Sequence, residues 1–210
     1  MISESSVLSS ASVPYINRQR KMDRTLHIFI TFLIFVSCNK DDINVPIPEN
    51  ENSAFISAVD ISSYPEISNS DPTFYDLEGN QNDFLTILRD NGINTVRLRL
   101  WVNPSNEHSG FNEVKQFSQT LKTYGFKTWL TIHYSDTWAD PAHQETPKQW
   151  QAISFAQLKD SVYNYTEKIM NELQPNYIQI GNEINSGLLH PSGHISNNYQ
   201  KFQELMNIGI

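Results

Sequence analysis

The sequence contains a single cysteine, has few basic residues and lacks a basic run. One cysteine can form neither an internal disulfide nor a cysteine-based zinc site, so the core must be held by packing alone. The formal net charge of −8 results from 15 Lys and Arg against 23 Asp and Glu. Nucleic acids and anionic membrane surfaces are bound by clustered Lys and Arg, and the composition therefore argues against both as partners.

An apolar run near the N-terminus is too short to cross a membrane. It covers the eleven residues 26–36, whereas a transmembrane helix needs about 20 residues. A basic leader with Arg18, Arg20, Lys21 and Arg24 precedes the run, which is the pattern of an export signal. Ser37 and Cys38 follow, and a small residue before a cysteine at this place is similar to the bacterial lipobox, in which the cysteine carries a lipid. The alternative is a buried strand or helix with an incidental cysteine.

These features divide the chain into three parts. Residues 1–37 are predicted to be an overlong start followed by a lipoprotein-type signal peptide that begins at Met22. Residues 38–53 are rich in Asn, Asp, Glu and Pro and are predicted to be a polar tether. Residues 54–210 are expected to be the folded part, outside the cytoplasm on the periplasmic face or the cell surface of a bacterium. Membrane attachment is expected only through the lipid on Cys38.

The sequence after residue 54 alternates between strand and helix periodicity. The pattern predicts strands at 55–62, 94–101, 127–134 and 176–183, and helices at 83–92, 112–124, 154–173 and from about residue 198. Such alternation is typical of an α/β fold with a parallel sheet. Two architectures fit this pattern. One is about the first four β/α units of a (β/α)8 TIM barrel, which needs roughly 250 residues when complete, and the other is a doubly wound sheet.

Alternation along the strands places polar side chains on one face. Arg97 and Arg99 share a face of the second strand with Trp101, and a buried arginine is costly unless a carboxylate pairs with it. The same parity adds polar residues from the other strands, namely Asp60, Thr131, His133, Gln179 and Glu183. Several of these residues end their strands, where α/β proteins place their sites. The pattern favours a carboxylate-centred site, while each residue alone also fits a structural role, such as an ion pair or a core histidine.

Three motifs carry a resemblance to a known family. They are RLRLWVNP at 97–104, HYSDTWADP at 133–141 and QIGNEINSG at 179–187. In this order they resemble the arabinogalactan endo-β-1,4-galactanases, and the resemblance covers about residues 55–210. It implies a (β/α)8 barrel of the clan of retaining glycosidases, with one catalytic Glu at the end of strand four and a second at the end of strand seven. In that clan an Asn precedes the strand-four Glu, as Asn182 precedes Glu183 here.

The resemblance also implies roles for individual residues. Glu183 is expected to be the general acid/base, and Asn182 is expected to hold the 2-hydroxyl of the sugar. The other expected substrate-site residues are a polar support of Arg99, His133 and Asp136, two sugar-stacking rings at Trp101 and Trp138, and Asp60 as an orienting carboxylate. The strand-seven nucleophile is expected to be absent from these 210 residues, so the chain alone is predicted to be inactive on its substrate, the galactan side chains of pectin.

Two other functions remain open at this stage. A non-catalytic glycan-binding surface lipoprotein would keep the aromatic rings, although it would not need a proton donor such as Glu183. A metal-dependent hydrolase would use His133, Asp136 and His143, but their spacing does not match the usual helical pair of histidine ligands. We expect no metal and no cofactor, and we expect a polysaccharide as the partner.

Overall fold

The computed structural model describes residues 55–209. The predicted leader, the lipidation site Cys38 and the tether lie outside the described residues. Within residues 55–209, no helix has both the length and the apolar character needed to cross a bilayer.

Four strands form one parallel sheet in the order in which they occur along the chain. They are β1 (Ala58–Asp60), β2 (Thr95–Leu100), β3 (Lys127–Ile132) and β4 (Tyr177–Ile180). Asp60 pairs in register with Arg97, and Thr131 pairs with both Arg99 and Gln179. A doubly wound sheet reverses its strand order at a switch point, whereas consecutive neighbours are what a (β/α) barrel requires. The sheet order therefore decides between the two predicted architectures in favour of the barrel.

The structure has five α-helices between residues 55 and 209, and all but the first lie where the apolar periodicity predicts them. They are α1 (Tyr64–Ser68), α2 (Phe84–Asp90), α3 (Phe111–Thr123), α4 (Phe155–Glu172) and α5 (Tyr199–Ile208). The start of α4 has a capping box, because the Ser154 side chain accepts from the Gln157 amide while the Gln157 side chain accepts from the Ser154 amide. Gly125 follows α3 with a φ of 88°, a left-handed conformation that glycine adopts without strain and that ends the helix.

The core lies between the helices and the apolar face of the sheet. Val96, Leu98 and Leu100 of β2 are at most 1% exposed, and Leu130 and Ile132 of β3 are fully buried. Burying each such side chain contributes roughly 1.5–3 kcal/mol relative to leaving it in water. Arg97 and Arg99 alternate with these residues and are only half-buried on the opposite face. The predicted parity is therefore correct for β2.

The sequence does not predict the shortest elements. The helix α1, the 3-10 turns Lys148–Trp150 and Ile184–Ser186, and the hairpin of β5 (Gly187–Leu188) with β6 (Gly193–His194) contain two to five residues each. Periodicity needs a longer window to be visible. The prediction for β1 is too long, because three residues are paired where eight were expected.

Candidate active site

The candidate site lies at the carboxyl ends of the four strands. Asp60 is the last residue of β1, Trp101 follows β2, and His133 follows β3. Asn182 and Glu183 come shortly after the end of β4. Because the strands are parallel, these ends lie along the same edge of the sheet. The predicted residues from all four strands are thereby brought to one side of the fold.

Arg97 connects the first strand to the fourth. Its Nη1 donates to Asp60 Oδ2 at 2.6 Å, and its Nη2 donates to Asn182 Oδ1 at 3.0 Å and to Gln179 Oε1 at 3.4 Å. We call these four residues, Asp60, Arg97, Gln179 and Asn182, the Arg97 network. The planar guanidinium suits this role, since it presents several donors in fixed directions.

Hydrogen bonds keep Asp60 ionised in this network. Burial alone would raise the pKa of the Asp60 carboxyl, but hydrogen bonds from the hydroxyl and amide of Ser62, together with Arg97, outweigh burial and lower the pKa. The hydroxyl of Ser62 lies 2.6 Å from Asp60 Oδ1 and also accepts from the amide of Arg99. Ser62 thus links Asp60 to the backbone of β2, a contact that the sequence analysis did not identify.

Arg99 lies two residues further along β2 in a different environment. Its guanidinium carbon lies 5.0 Å from the centre of the Trp101 ring and 5.2 Å from that of Trp138. Its Nε donates to Ser109 Oγ at 2.7 Å, and its Nη2 donates to Ser63 Oγ at 3.2 Å. In the part of the chain that the structure describes, no carboxylate forms a salt bridge with Arg99. We call Arg99, Trp101, His133 and Trp138 the Arg99 cluster.

His133 is a neutral member of the Arg99 cluster. The residue is 2% exposed, and burial lowers the pKa of its imidazole to about 4, with the charges of Arg97 and Arg99 acting in the same direction. Its Nδ1 accepts from the backbone amide of Ala139 at 3.1 Å. The proton of the neutral ring is therefore on Nε2, which makes this atom a hydrogen-bond donor.

Asn182 and Glu183 differ in how accessible they are. Asn182 is 6% exposed, and its Nδ2 donates to the carbonyl of Ala139 at 2.8 Å while its Oδ1 accepts from Arg97. Glu183 is exposed, with φ 48° and ψ 46° in the left-handed region. That conformation costs a non-glycine residue roughly 1–2 kcal/mol and is common at functional sites. The amide of Asn182 is held by protein partners, while the carboxyl of Glu183 is open to a ligand.

The loop after β3 supplies the remaining predicted residues. Asp136 accepts from the amide of Asn103 at 3.0 Å through one oxygen and from the amide of Lys148 at 2.8 Å through the other. Its carboxylate therefore joins two loops. Trp138 is 46% exposed, so its ring is accessible to a ligand and is not hidden beneath its loop.

The three residues of the metal hypothesis have separate partners. His133 Nδ1 accepts from an amide, Asp136 joins two loops, and His143 Nδ1 lies 2.9 Å from Asp140 Oδ2. Over residues 55–209, no group of three or more His, Cys, Asp or Glu side chains is arranged to hold a metal ion. His133, Asp136 and His143 thus do not form a common ligand set.

Comparison with known proteins gives a consistent result. The profile of glycosyl hydrolase family 53 matches residues 56–210. A probable arabinogalactan endo-beta-1,4-galactanase A of Aspergillus terreus is 37% identical over 155 residues, which are 71% of this chain and 44% of that protein. The endo-beta-1,4-galactanase of Bacillus subtilis is 34% identical over 160 residues, 70% of this chain and 37% of that protein. The chain spans less than half the length of these two relatives.

Solved structures share the fold. One of two fungal beta-1,4-galactanases superposes with a TM-score of 0.68 at 35% identity, covering 73% of this chain and 47% of that chain. The Ignisphaera aggregans GH53 catalytic domain superposes with a TM-score of 0.69 at 36% identity, covering 78% of this chain and 49% of that chain. Together with the sheet order, these matches confirm the predicted TIM-barrel class, of which the chain covers about half.

Proposed function

The chain belongs to glycosyl hydrolase family 53, and on this premise we propose that the whole protein cleaves internal β-1,4-galactosidic bonds of galactan, with Glu183 as general acid/base. The observation that carries the proposal is the position of Glu183, an exposed carboxyl at the end of β4 beside a buried Asn182. A glycosidase needs such a group to protonate the departing oxygen. The galactanase names of the relatives support a β-1,4-galactan as the substrate class, and we propose the galactan side chains of pectin as its source.

The surrounding residues suit a sugar ligand. The exposed ring of Trp138 can stack on the apolar CH face of a galactose unit, and the guanidinium of Arg99 packs against this ring and against that of Trp101. The Nε2–H of His133 is a neutral donor for a sugar hydroxyl. The amide of Asn182 is held by Arg97 and by the carbonyl of Ala139, and one N–H of that amide remains for the 2-hydroxyl.

We further propose a retaining mechanism. In such enzymes a second carboxylate, about 5 Å from the acid/base, attacks the anomeric carbon and forms a covalent intermediate. We expect this nucleophile in the half of the relatives' length that the present chain does not cover. The 210 residues are therefore expected not to hydrolyse galactan by themselves.

Substrate digestion tests the proposal. By the full-length protein we mean a chain that carries both these residues and the expected strand-seven nucleophile. It should release galacto-oligosaccharides from β-1,4-galactan and none from arabinan, measured by chromatography. The variant Glu183→Gln should lower kcat by about 10²–10⁴-fold because it cannot donate the proton, while Glu167→Gln, on the exposed face of α4, should not change it. If Glu183→Gln binds galactan normally but the unsubstituted full-length protein releases nothing, the protein is a glycan-binding lipoprotein and the proposal is wrong.

We also propose that Cys38 carries a lipid and that residues 38–53 hold the enzyme outside the cytoplasm. The apolar run at 26–36 and the Ser37–Cys38 pair support this proposal. Cells fed radioactive palmitate should label the protein and should not label the variant Cys38→Ala. Equal labelling of both proteins would contradict the assignment.

A further inference from the structure

A buried glutamine joins the loop after β3 to the turn that holds Glu183. Gln144 is 2% exposed, and its Nε2 faces three backbone carbonyls. The distances are 3.0 Å to Asp140 O, 2.8 Å to Asn182 O and 3.4 Å to Glu183 O. Its Oε1 is buried and has no hydrogen-bond partner among residues 55–209. The amide is therefore used for its donor end, which a carboxylate of the same shape does not have.

The two bonded carbonyls of the turn lie on either side of one residue. The carbonyl of Asn182 belongs to the peptide unit before Glu183, whose orientation is set by φ of Glu183. The carbonyl of Glu183 belongs to the next peptide unit, whose orientation is set by ψ. A single donor that bonds both carbonyls therefore restrains both torsions, which have the left-handed values of 48° and 46°.

Further hydrogen bonds hold the backbone around Gln144 in place. The backbone carbonyl of Gln144 accepts from the amide of His190 at 2.7 Å, and Thr146 Oγ1 donates to the carbonyl of His190 at 2.8 Å. Ser186 Oγ donates to the carbonyl of Pro141 at 2.8 Å. These bonds join the two loops on both sides of Gln144 and hold the backbone from which its side chain reaches the turn.

We propose that Gln144 is a positioning residue for Glu183, holding the backbone of the acid/base in the strained conformation that presents its carboxyl to the substrate. The inference rests on the proposed role of Glu183. The strain gives the turn a reason to relax when the donor is removed. A shift of the carboxyl by about 1 Å can lower a catalytic rate about a hundredfold, because proton transfer depends on geometry.

The first test removes the donor and keeps the volume. In the full-length protein, Gln144→Met should lower kcat on galactan by about ten- to a hundredfold and change KM by less than about twofold, since the sugar-binding rings are untouched. Hydrogen exchange in the peptide 182–190 should become faster, most of all at Asn185, whose amide donates to the carbonyl of Glu183 at 2.8 Å. The matched control is Gln151→Met, because Gln151 Nε2 donates to the carbonyl of Thr146 at 2.9 Å and does not reach the turn.

The second test changes only the donor capacity. Gln144→Glu places an acceptor against three carbonyls when it is ionised, but donates one hydrogen bond when it is protonated. Burial among carbonyls raises the pKa of such a carboxyl, so the protonated form returns as the pH falls. The ratio of the variant's kcat to that of the unsubstituted protein should therefore rise on acidification, and no rise should occur with Gln144→Met.

The outcomes separate this inference from the proposed function. Unchanged exchange in 182–190 for Gln144→Met would overturn the positioning role, whatever the substrate. A faster exchange with unchanged kcat would also overturn it, because the turn would then not matter for catalysis. If the unsubstituted protein cleaves no galactan, the proposed function fails, and the catalytic role of Gln144 fails with it, while the exchange data still show whether Gln144 restrains the turn. Should Gln144→Met not fold, Gln144→Glu provides the comparison by itself, because its ionised form lacks the donor and its protonated form at low pH regains one.

Discussion

Two arginines, two residues apart on the same face of β2, have opposite electrostatic surroundings. Arg97 forms an ion pair with Asp60 and bonds the amide of Asn182. Arg99 lies between two tryptophan rings and bonds two serine hydroxyls, beside a neutral His133. The charge of Arg97 is compensated within the described chain, whereas no salt bridge from residues 55–209 compensates that of Arg99.

The difference shows how one strand can serve two purposes. The Arg97 network fixes the positions of β1 and of the end of β4 by charge and hydrogen bonds. The Arg99 cluster is a platform of aromatic rings and donors, with Trp138 accessible from outside. A sugar has hydroxyls and apolar CH faces but no charge, which suits the second region better than the first. We therefore expect the ion pair of the Arg97 network to contribute to stability, and the rings of the Arg99 cluster to contribute to substrate binding.

The largest effect on the free energy of unfolding is expected in the pH range in which His133 takes up a proton. Its folded-state pKa of about 4 lies below the unfolded value of 6.5, so the unfolded state takes up a proton first as the pH falls. As the pH falls from 6.5 to 4, protonation of His133 in the unfolded state should lower the free energy of unfolding of the full-length protein by on the order of 3 kcal/mol. No further loss from His133 is expected below pH 4. Urea denaturation across this range measures the loss.

A variant without the imidazole isolates this contribution. His133→Gln should show a flatter decline of unfolding free energy between pH 6.5 and pH 4 than the unsubstituted protein, since the other titrating groups are shared. The pKa of Asp60 is lowered in the folded state, so protonation of Asp60 should lower the free energy of unfolding only at a pH below 3.8. Parallel curves for the two proteins would mean that His133 takes up its proton as readily in the folded state as in the unfolded state, and His133 would then not be held neutral by its surroundings.

An intermediate effect is expected from neutralising Arg97. Arg97→Met should lower the free energy of unfolding by about 2 kcal/mol, because Asp60 keeps its charge without a cation and Asn182 loses a donor. A fully buried pair would cost more, but the Arg97 and Asp60 side chains are 26% and 41% exposed. Arg99→Met should cost less than Arg97→Met, as measured by chemical denaturation.

A double variant checks the cause. Asp60→Asn combined with Arg97→Met should lose less stability than the sum of the two single variants, since no unpaired charge remains. Additive losses would show that the ion pair is not what distinguishes Arg97 from Arg99.

The smallest effect is expected in binding by the Arg99 cluster. Arg99→Lys keeps the charge but loses the planar group between Trp101 and Trp138, and KM for galactan should rise about threefold to fivefold. Lys168→Arg is the control, because Lys168 lies 3.9 Å from the centre of the Phe111 ring on the outer helices and should not affect KM. An equal rise in KM for Arg97→Lys would contradict the claim that Arg99 contributes more to substrate binding than Arg97 does.

Strand periodicity predicted which residues share a face, but not which of them bond to each other. The alternation in β2 placed Arg97 and Arg99 together, and the helix predicted at 154–173 is observed as α4. Which arginine pairs with Asp60 depends on register, which a strand's own sequence does not contain. The pairing of Asp60 with Arg97 follows from the observed alignment of β1 and β2.

The loops were less accessible to prediction. Gln144 lies between β3 and the turn at Lys148–Trp150, in a stretch without a repeating pattern. Its importance comes from contacts with residues 182 and 183, nearly forty positions away, and no local signal encodes such contacts. The left-handed conformation of Glu183 was also unexpected, because a glutamate gives no sign of it as a glycine would.

The consecutive strand order has a consequence for how the protein is made. Each of β2, β3 and β4 pairs with the strand that precedes it in the chain. A ribosome releases the chain from its N-terminus, so every new strand meets a finished neighbour and does not have to wait for a later one. The sheet can therefore grow in the order of synthesis, and the Asp60–Arg97 pair can form before the residues of β4 have been translated.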